Sequence, residues 1–138
     1  MMEKLLTVIV PAYNVEKTID MCLMSFVRQS SQYFNVIIVN DGSADSTEKI
    51  CMKYCDEYPE LFEYIYQSNK GLGEARNVGM SQVKTPYLCF LDSDDWLNTR
   101  YVELFCNLVN DCGQKADIIF TLPWIYNSVT KWIVPWYD

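Results

Sequence analysis

Asp92-Ser93-Asp94-Asp95 sets three carboxylates within four residues, directly behind the apolar run Tyr87-Leu88-Cys89-Phe90-Leu91. Like charges this close repel one another unless a cation neutralises them. Oxygen ligands without imidazole select a hard ion such as Mg²⁺ or Mn²⁺, with positions left open for phosphate oxygens. Capping and the dipole of a following helix would account for one or two of these acids, but not for three behind a buried strand. The chain has no histidine. That excludes Ser-His-Asp and Cys-His nucleophile pairs and any zinc site using imidazole, so the chemistry falls to carboxylates.

Other polar groups stand at comparable places. Asp41 leaves a second apolar run, Val36-Ile37-Ile38-Val39, in the turn Asn40-Asp41-Gly42-Ser43, where Gly42 can take backbone angles that other residues avoid. A carboxylate there can accept a hydrogen bond from an imide or amide N–H of a nucleobase, and Tyr13 beyond the first apolar run can stack on the base. Taken alone, each is equally a good turn and an exposed aromatic. Gly71-x-Gly73 with Asp92 further on imitates a dinucleotide fingerprint, but Arg76 holds the third glycine position and the loop follows a third strand. The glycines then serve close backbone approach, and Arg76 offers a charge for a phosphate or base.

The elements that must position these groups can be traced in order. Leu5–Val10 reads as a strand and is followed by Val15, Ile19, Cys22, Leu23, Phe26 and Val27 at helical spacing, with Asn14 as N-cap. Val36–Val39 is a second strand, and the next helix starts with Asp45 and Glu48 at capping-box spacing. Phe62–Tyr66 is a third strand, then comes a helix around Glu74–Ser81. Tyr87–Leu91 is a fourth strand, a helix carries Tyr101 through Cys112, and Asp117–Thr121 is a fifth strand. Short apolar strands alternating with amphipathic helices predict an α/β fold: a Rossmann-like, mostly parallel open sheet with helices on both faces. Ligands of such sheets bind beyond the carboxyl ends of the strands, which is where all these polar residues fall.

The 138 residues, half of them hydrophobic and with a formal charge of −7, fit one compact domain and no nucleic-acid partner. Six cysteines are scattered through apolar stretches, as expected of core or neutral thiols in a reducing compartment; Cys51 and Cys55 have the spacing of half a metal site but no second half. No secretion signal or spanning segment is seen, so a cytoplasmic placement is expected. Residues 122–138 differ from the rest, crowding Trp124, Tyr126, Trp132, Trp136 and Tyr137 into a short tail.

Four motifs in this order, Val8-Ile9-Val10-Pro11-Ala12-Tyr13-Asn14, Val39-Asn40-Asp41-Gly42-Ser43-x-Asp45-x-Thr47, Asn69-x-Gly71-x-Gly73-x-Ala75-Arg76-Asn77-x-Gly79 and Phe90-Leu91-Asp92-Ser93-Asp94-Asp95, resemble those of the family 2 glycosyltransferases, inverting enzymes of the GT-A fold. The resemblance covers about positions 5 to 121. It implies a metal-dependent domain that binds a nucleotide-diphosphate sugar, a UDP-sugar by preference, and transfers the sugar to a saccharide or lipid-linked hydroxyl acceptor. By motif position it implies that Pro11, Tyr13 and Asp41 hold the base, Arg76 the base or phosphates, and Asp92 the ribose or, through water, the metal. Ser93 lines the same nucleotide-sugar site, and Asp94 ligates Mn²⁺ or Mg²⁺ directly.

Two departures accompany the resemblance. Many members carry a proline near Thr99, where Asn98-Thr99 here can cap the next helix instead. The carboxylate that takes the acceptor's proton lies, in the family, beyond the fifth strand; neither Asp117 nor Asp138 matches its motif. Residues 1–121 are therefore expected to be a donor-binding domain and 122–138 the start of an acceptor-binding part. With a lipid-linked acceptor, association with the inner face of a membrane would follow. The competing class is a non-catalytic nucleotide-binding or regulatory module that keeps the donor site. A receiver-like domain would need an acidic pair where Ala12-Tyr13-Asn14 stands. Asp41 alone suits a uracil or thymine imide about as well as a guanine.

Overall fold

The computed structural model describes residues 3–113, 117–119, 124–126 and 133–135, the last two segments by their backbone. The chain divides into two compact units, Met1–Leu108 and Val109–Asp138. In the first, strands β1 (Leu6–Ala12), β2 (Phe34–Asp41), β3 (Phe62–Gln67) and β4 (Tyr87–Phe90) form one sheet in the order β3-β2-β1-β4. Every pairing is parallel. Helices α1 (Ile19–Val27), α2 (Thr47–Glu57) and α3 (Leu72–Ser81) connect the strands, and α4 (Tyr101–Asp111) follows β4.

Register explains why β1 and β2 are apolar almost throughout. Ile9, Ile37 and Val39 face α3 and pack with Ala75, while Phe34 and Phe62 on the opposite face meet Phe26 of α1, and Phe62 also meets Tyr54 of α2. Both faces are covered, so alternation is lost and all seven residues of β1 are buried. Gly79 lets α3 approach closely: a Cβ there would stand 2.4 Å from Ile9 Cγ2. A methyl cannot be fitted into that contact without moving the helix or the strand.

Three sequence expectations are corrected. Asn14 does not cap α1. Its φ of 51° is left-handed whereas an N-cap is extended, and the chain turns once more, with Thr18 and Ile19 N–H both donating to the Val15 carbonyl, before the helix starts at Ile19. Asp45 does receive the Thr47 N–H at 2.9 Å, but Ser46 is the N-cap and the capping box is not closed by Glu48; the Ser46 N–H donates instead to Glu16 Oε2 at 2.9 Å. A tertiary partner has taken the place of the local one. The expected fifth strand over 117–121 is not formed at residues 117–119, and Phe120 and Thr121 lie outside the described residues. Ile118 is 71% exposed, which no inner strand of a two-faced sheet could be. A short apolar run carries no period that separates a strand from other apolar segments.

In the second unit, β5 (Trp124–Tyr126) and β6 (Ile133–Pro135) pair antiparallel, Ile125 opposite Val134. The aromatic positions Trp132, Trp136 and Tyr137 lie outside the described residues. No helix among the described residues is long and apolar enough to cross a membrane.

Candidate functional site

The carboxyl ends of β1 and β2 are braced to each other just past the sheet. Asn14 N–H donates to Ser43 Oγ at 3.0 Å, and Ala44 N–H donates back to Asn14 Oδ1 at 2.8 Å. Val15 N–H donates to Thr47 Oγ1 at 2.9 Å and Glu16 N–H to Asp45 Oδ2 at 3.1 Å. The left-handed backbone at Asn14 makes this reciprocal pairing possible, and an Asn tolerates it better than most residues. Burial opposes the Asp45 charge, but the bonds from Thr47 and Glu16 outweigh it and hold the carboxyl below its ordinary pKa. Tyr13, held immediately before the brace, keeps its ring half exposed and faces the cleft.

Asp41 is 3% exposed, yet among the described residues no cationic side chain is bonded to it. Its Oδ1 accepts Gln67 Nε2 at 2.6 Å and Lys70 N–H at 2.8 Å, and its Oδ2 accepts Gly71 N–H at 2.8 Å. Burial alone would raise its pKa. The Gln67 bond, the two backbone bonds and the charge of Lys70 overcome that penalty and lower it, so the group is a carboxylate. Gly42 and Gly71 permit this closure: both have positive φ, 76° and 92°, and a Cβ on Gly42 would stand 2.7 Å from the Asn69 nitrogen. Asp41 thus organises the loop that leads into α3.

The acidic loop after β4 is seated on α1 and on Gln29 just beyond its end. Cys22 Sγ lies 3.9 Å from the Asp92 carbonyl, Leu97 N–H donates to Ser25 Oγ at 3.1 Å, and Gln29 Nε2 donates to the Asn98 carbonyl at 2.7 Å. Asn98 Oδ1 in turn accepts the Arg100 N–H at 3.0 Å, capping the start of α4 as its type and position suggest. Burial, then the charges of Asp94 and Asp92, raise the Asp95 pKa. Burial, then the charges of Asp95 and its acidic neighbours, push the Cys22 thiol far up, so it is no nucleophile. Arg76 donates to Asp92 Oδ1 at 2.9 Å and lies over the Phe90 ring, its guanidinium carbon 5.5 Å from the centroid. Ser93 is buried, while Asp92 and Asp94 are exposed.

These groups meet in a cleft of about 410 Å³ lined by Pro11, Tyr13, Asp41, Asp92, Ser93 and Asp94, with Gly71 and Ala75 completing the α3 side. Arg76 is not part of the lining and joins the site through Asp92. Gln67 stands in none of the motifs, while Asn14 and Gly79 stand in them without an assigned contact to the nucleotide sugar. Gln67 carries no local signal at all, whereas Ala75 and Gly79 one helical turn apart mark a close-packed face. Among the described residues no three His, Cys, Asp or Glu side chains converge on a point that could hold a metal. A Mg²⁺-type ion is commonly held by one or two carboxylates together with substrate phosphates and water. Asp92 and Asp94, exposed on one wall of the cleft, fit an ion that arrives with a diphosphate. They do not form a cage by themselves.

An open parallel sheet with these groups gathered at its carboxyl edge is the nucleotide-binding α/β architecture of the GT-A glycosyltransferases. The model of the family described as "Glycosyl transferase family 2" matches residues 7–134, and the chain belongs to that family. It is 41% identical over 113 residues to glycosyltransferase GlyA of Streptococcus pneumoniae, covering 82% of this chain and 16% of that protein. It is 43% identical over 107 residues to the teichoic acid poly(glycerol phosphate) polymerase of Staphylococcus epidermidis, covering 74% of this chain and 15% of that protein. Residues 1–349 of TarS from S. aureus, solved in complex with UDP, superpose with a TM-score of 0.72 at 32% identity, over 78% of this chain and 32% of that one. The chain therefore spans from 15% to 32% of the length of these relatives.

Proposed function

We propose that this chain binds a nucleotide-diphosphate sugar, a UDP-sugar by preference, and provides the donor site of an inverting transfer to a hydroxyl acceptor. The observation that carries the reading is the convergence of Tyr13, Asp41, Asp92 and Asp94 on one cleft at the strand ends. In this reading Tyr13 stacks on the base, Pro11 borders it, and Asp41 accepts an N–H from it. Asp92 and Ser93 border the ribose, and Arg76 carries the positive charge toward the phosphates. TarS, whose structures hold UDP and UDP-GlcNAc, supports the choice of base.

Mn²⁺ or Mg²⁺ would be held by Asp94, with Asp92 acting directly or through water, and would neutralise charge on the leaving diphosphate. Residues 1–121 are read as the donor-binding domain and 122–138 as the beginning of an acceptor-binding part. No residue here is assigned as the base. The acceptor is read as a saccharide or lipid-linked hydroxyl compound, with the domain on the cytoplasmic side and at the inner face of the membrane when the acceptor is lipid-linked. The relatives' link to teichoic acid supports a cell-surface polymer as product.

Calorimetric titration of UDP with Mn²⁺ and with EDTA tests the donor site. Tighter binding with Mn²⁺ is expected, and Asp94→Ala should lose that difference while keeping its fold by circular dichroism. Equal Mn²⁺-dependent binding by Asp94→Ala and the parent would remove the metal assignment.

A further inference from the structure

Hydrogen-bond capacity at Asp41 carries a consequence for which base the cleft can take, resting on the nucleotide reading above. A carboxylate offers about four acceptor positions, two on each oxygen. Oδ1 is filled by Gln67 Nε2 and Lys70 N–H, while Oδ2 has taken only Gly71 N–H. One acceptor position is left, and it lies on Oδ2. We infer that Gln67 is a specificity-determining positioning residue: by occupying Oδ1 it restricts Asp41 to a base that presents a single ring N–H, a uracil or thymine, and disfavours guanine.

The chemistry of the bases supplies the discrimination. Guanine's recognition edge carries N1–H beside its N2 amino group, a pair of donors that matches a carboxylate only when both oxygens are open. Here the second donor would meet the Gln67 and Lys70 N–H groups, donor against donor. Uracil and thymine present N3–H between two carbonyl oxygens, so one donor seeks Oδ2 and no second donor is left over.

The Gln67 amide is itself arranged for this purpose. Its Nε2 faces Asp41, while its Oε1 is buried with no hydrogen-bond partner among the described residues. A buried unpaired acceptor is unfavourable. Reversing the amide would set Oε1 against the carboxylate, two acceptors face to face, which is worse. The contact with Asp41 therefore fixes the orientation, and the side chain bears the cost of its unpaired oxygen. Sequence alone left uracil and guanine level at Asp41; the filled oxygen separates them.

The test is competition calorimetry with Mn²⁺ on the parent chain and on Gln67→Leu, using UDP, dTDP, GDP and N3-methyl-UDP. For the parent, UDP is expected to bind about tenfold or more tightly than GDP and than N3-methyl-UDP, the scale of one hydrogen bond to a charged group. dTDP, which keeps the N3–H, should stay closer to UDP than either. In Gln67→Leu the UDP-over-GDP ratio should fall severalfold toward parity because Oδ1 is opened. The N3-methyl-UDP comparison uses the parent alone and is independent of how the variant folds. Equal binding of UDP and N3-methyl-UDP by the parent, or an unchanged UDP-to-GDP ratio in a folded Gln67→Leu, overturns the inference while leaving the donor site standing. Failure of every nucleotide to bind the parent removes the donor reading and the inference together.

Discussion

Replacing Gly79 with alanine tests whether the approach of α3 to the sheet is as tight as its geometry demands. The added Cβ would lie 2.4 Å from Ile9 Cγ2 and 3.4 Å from both Ile9 Cγ1 and Val39 Cγ2. The first distance is more than about 1 Å inside normal carbon–carbon contact. Ile9 is fully buried on a central strand, and its branched side chain is stiff at χ1. Relief must come from a shift of α3, at a cost of about 1–3 kcal/mol for overpacking. Alanine also gains up to about 1 kcal/mol over glycine in helix propensity, which masks part of the loss. Gly73 of the same helix is the control, because a Cβ there meets nothing within 4 Å. Gly73→Ala should be neutral or stabilising by up to about 1 kcal/mol, so the difference between the two variants isolates the steric cost. Urea denaturation followed by circular dichroism measures both. Gly79→Ala is expected to be less stable than Gly73→Ala by about 1–3 kcal/mol. Because α3 also carries Ala75 in the cleft wall and Arg76 beside it, UDP binding should weaken in Gly79→Ala alone. Equal stability of the two alanine variants would refute the close packing inferred here.

Asp41 and Asn14 make sharper local predictions. The pKa of Asp41 is lower folded than its ordinary value of 3.8, so its stabilisation is fully present above that value and is lost as pH falls through the folded one. Asp41→Asn should therefore cost about 1.5–3 kcal/mol near pH 7, the range for hydrogen bonds to a charged group, and progressively less in acid; a loss that stays constant down to about pH 2 would show that the charge is not what matters. At Asn14, both Asn14→Ala and Asn14→Gly lose the bond from Ala44, but only alanine is strained at a φ of 51°. The glycine variant should be the more stable of the two by about 1 kcal/mol in denaturant titration, and equality would argue that the backbone relaxes out of the left-handed region.

How much could be read from the sequence depended on the range over which each feature is determined. β2 and β3 were legible to within two residues because they are apolar runs bounded by turn signals, and such runs need no partner to be recognised. Pro11, Tyr13, Asp41, Asp92, Ser93 and Asp94 were legible as a set because the parallel topology carries all four strand ends to one edge. The start of α1 was not. Asn14 is a good N-cap by type, but its amide is held by Ser43, 29 positions away, and that contact overrides the local preference. Gln67 was invisible for the same reason: its partner Asp41 lies 26 positions away on the adjacent strand, and nothing near Gln67 announces the pairing. The 117–121 segment failed in the opposite direction, since its apolar residues satisfied a pattern that the backbone of 117–119 does not adopt.

The two ends of the cleft are built on different terms, and this bears on how a donor would engage them. Around Tyr13 and Asp41 the backbone is fixed by reciprocal side-chain-to-backbone bonds and by positive-φ glycines, so the end proposed to take the base is formed before any ligand arrives. At the other end, Asp92 is 53% exposed and its Oδ1 is paired, among the described residues, only with Arg76, itself 35% exposed. A pair that open to water contributes at most about 1 kcal/mol, so exchanging it for a diphosphate and its cation demands little. Preorganisation saves the entropy of ordering where selectivity is exercised. A weak, displaceable ion pair suits an end where, in the proposed reading, charge would be taken up and later released. In the proposed reading, base choice would be set by the rigid half, through the acceptor position that Gln67 leaves open, while the acidic half would respond to the ion and the phosphates. On that reading, recognition of the donor would be kept separate from the electrostatics of its departure.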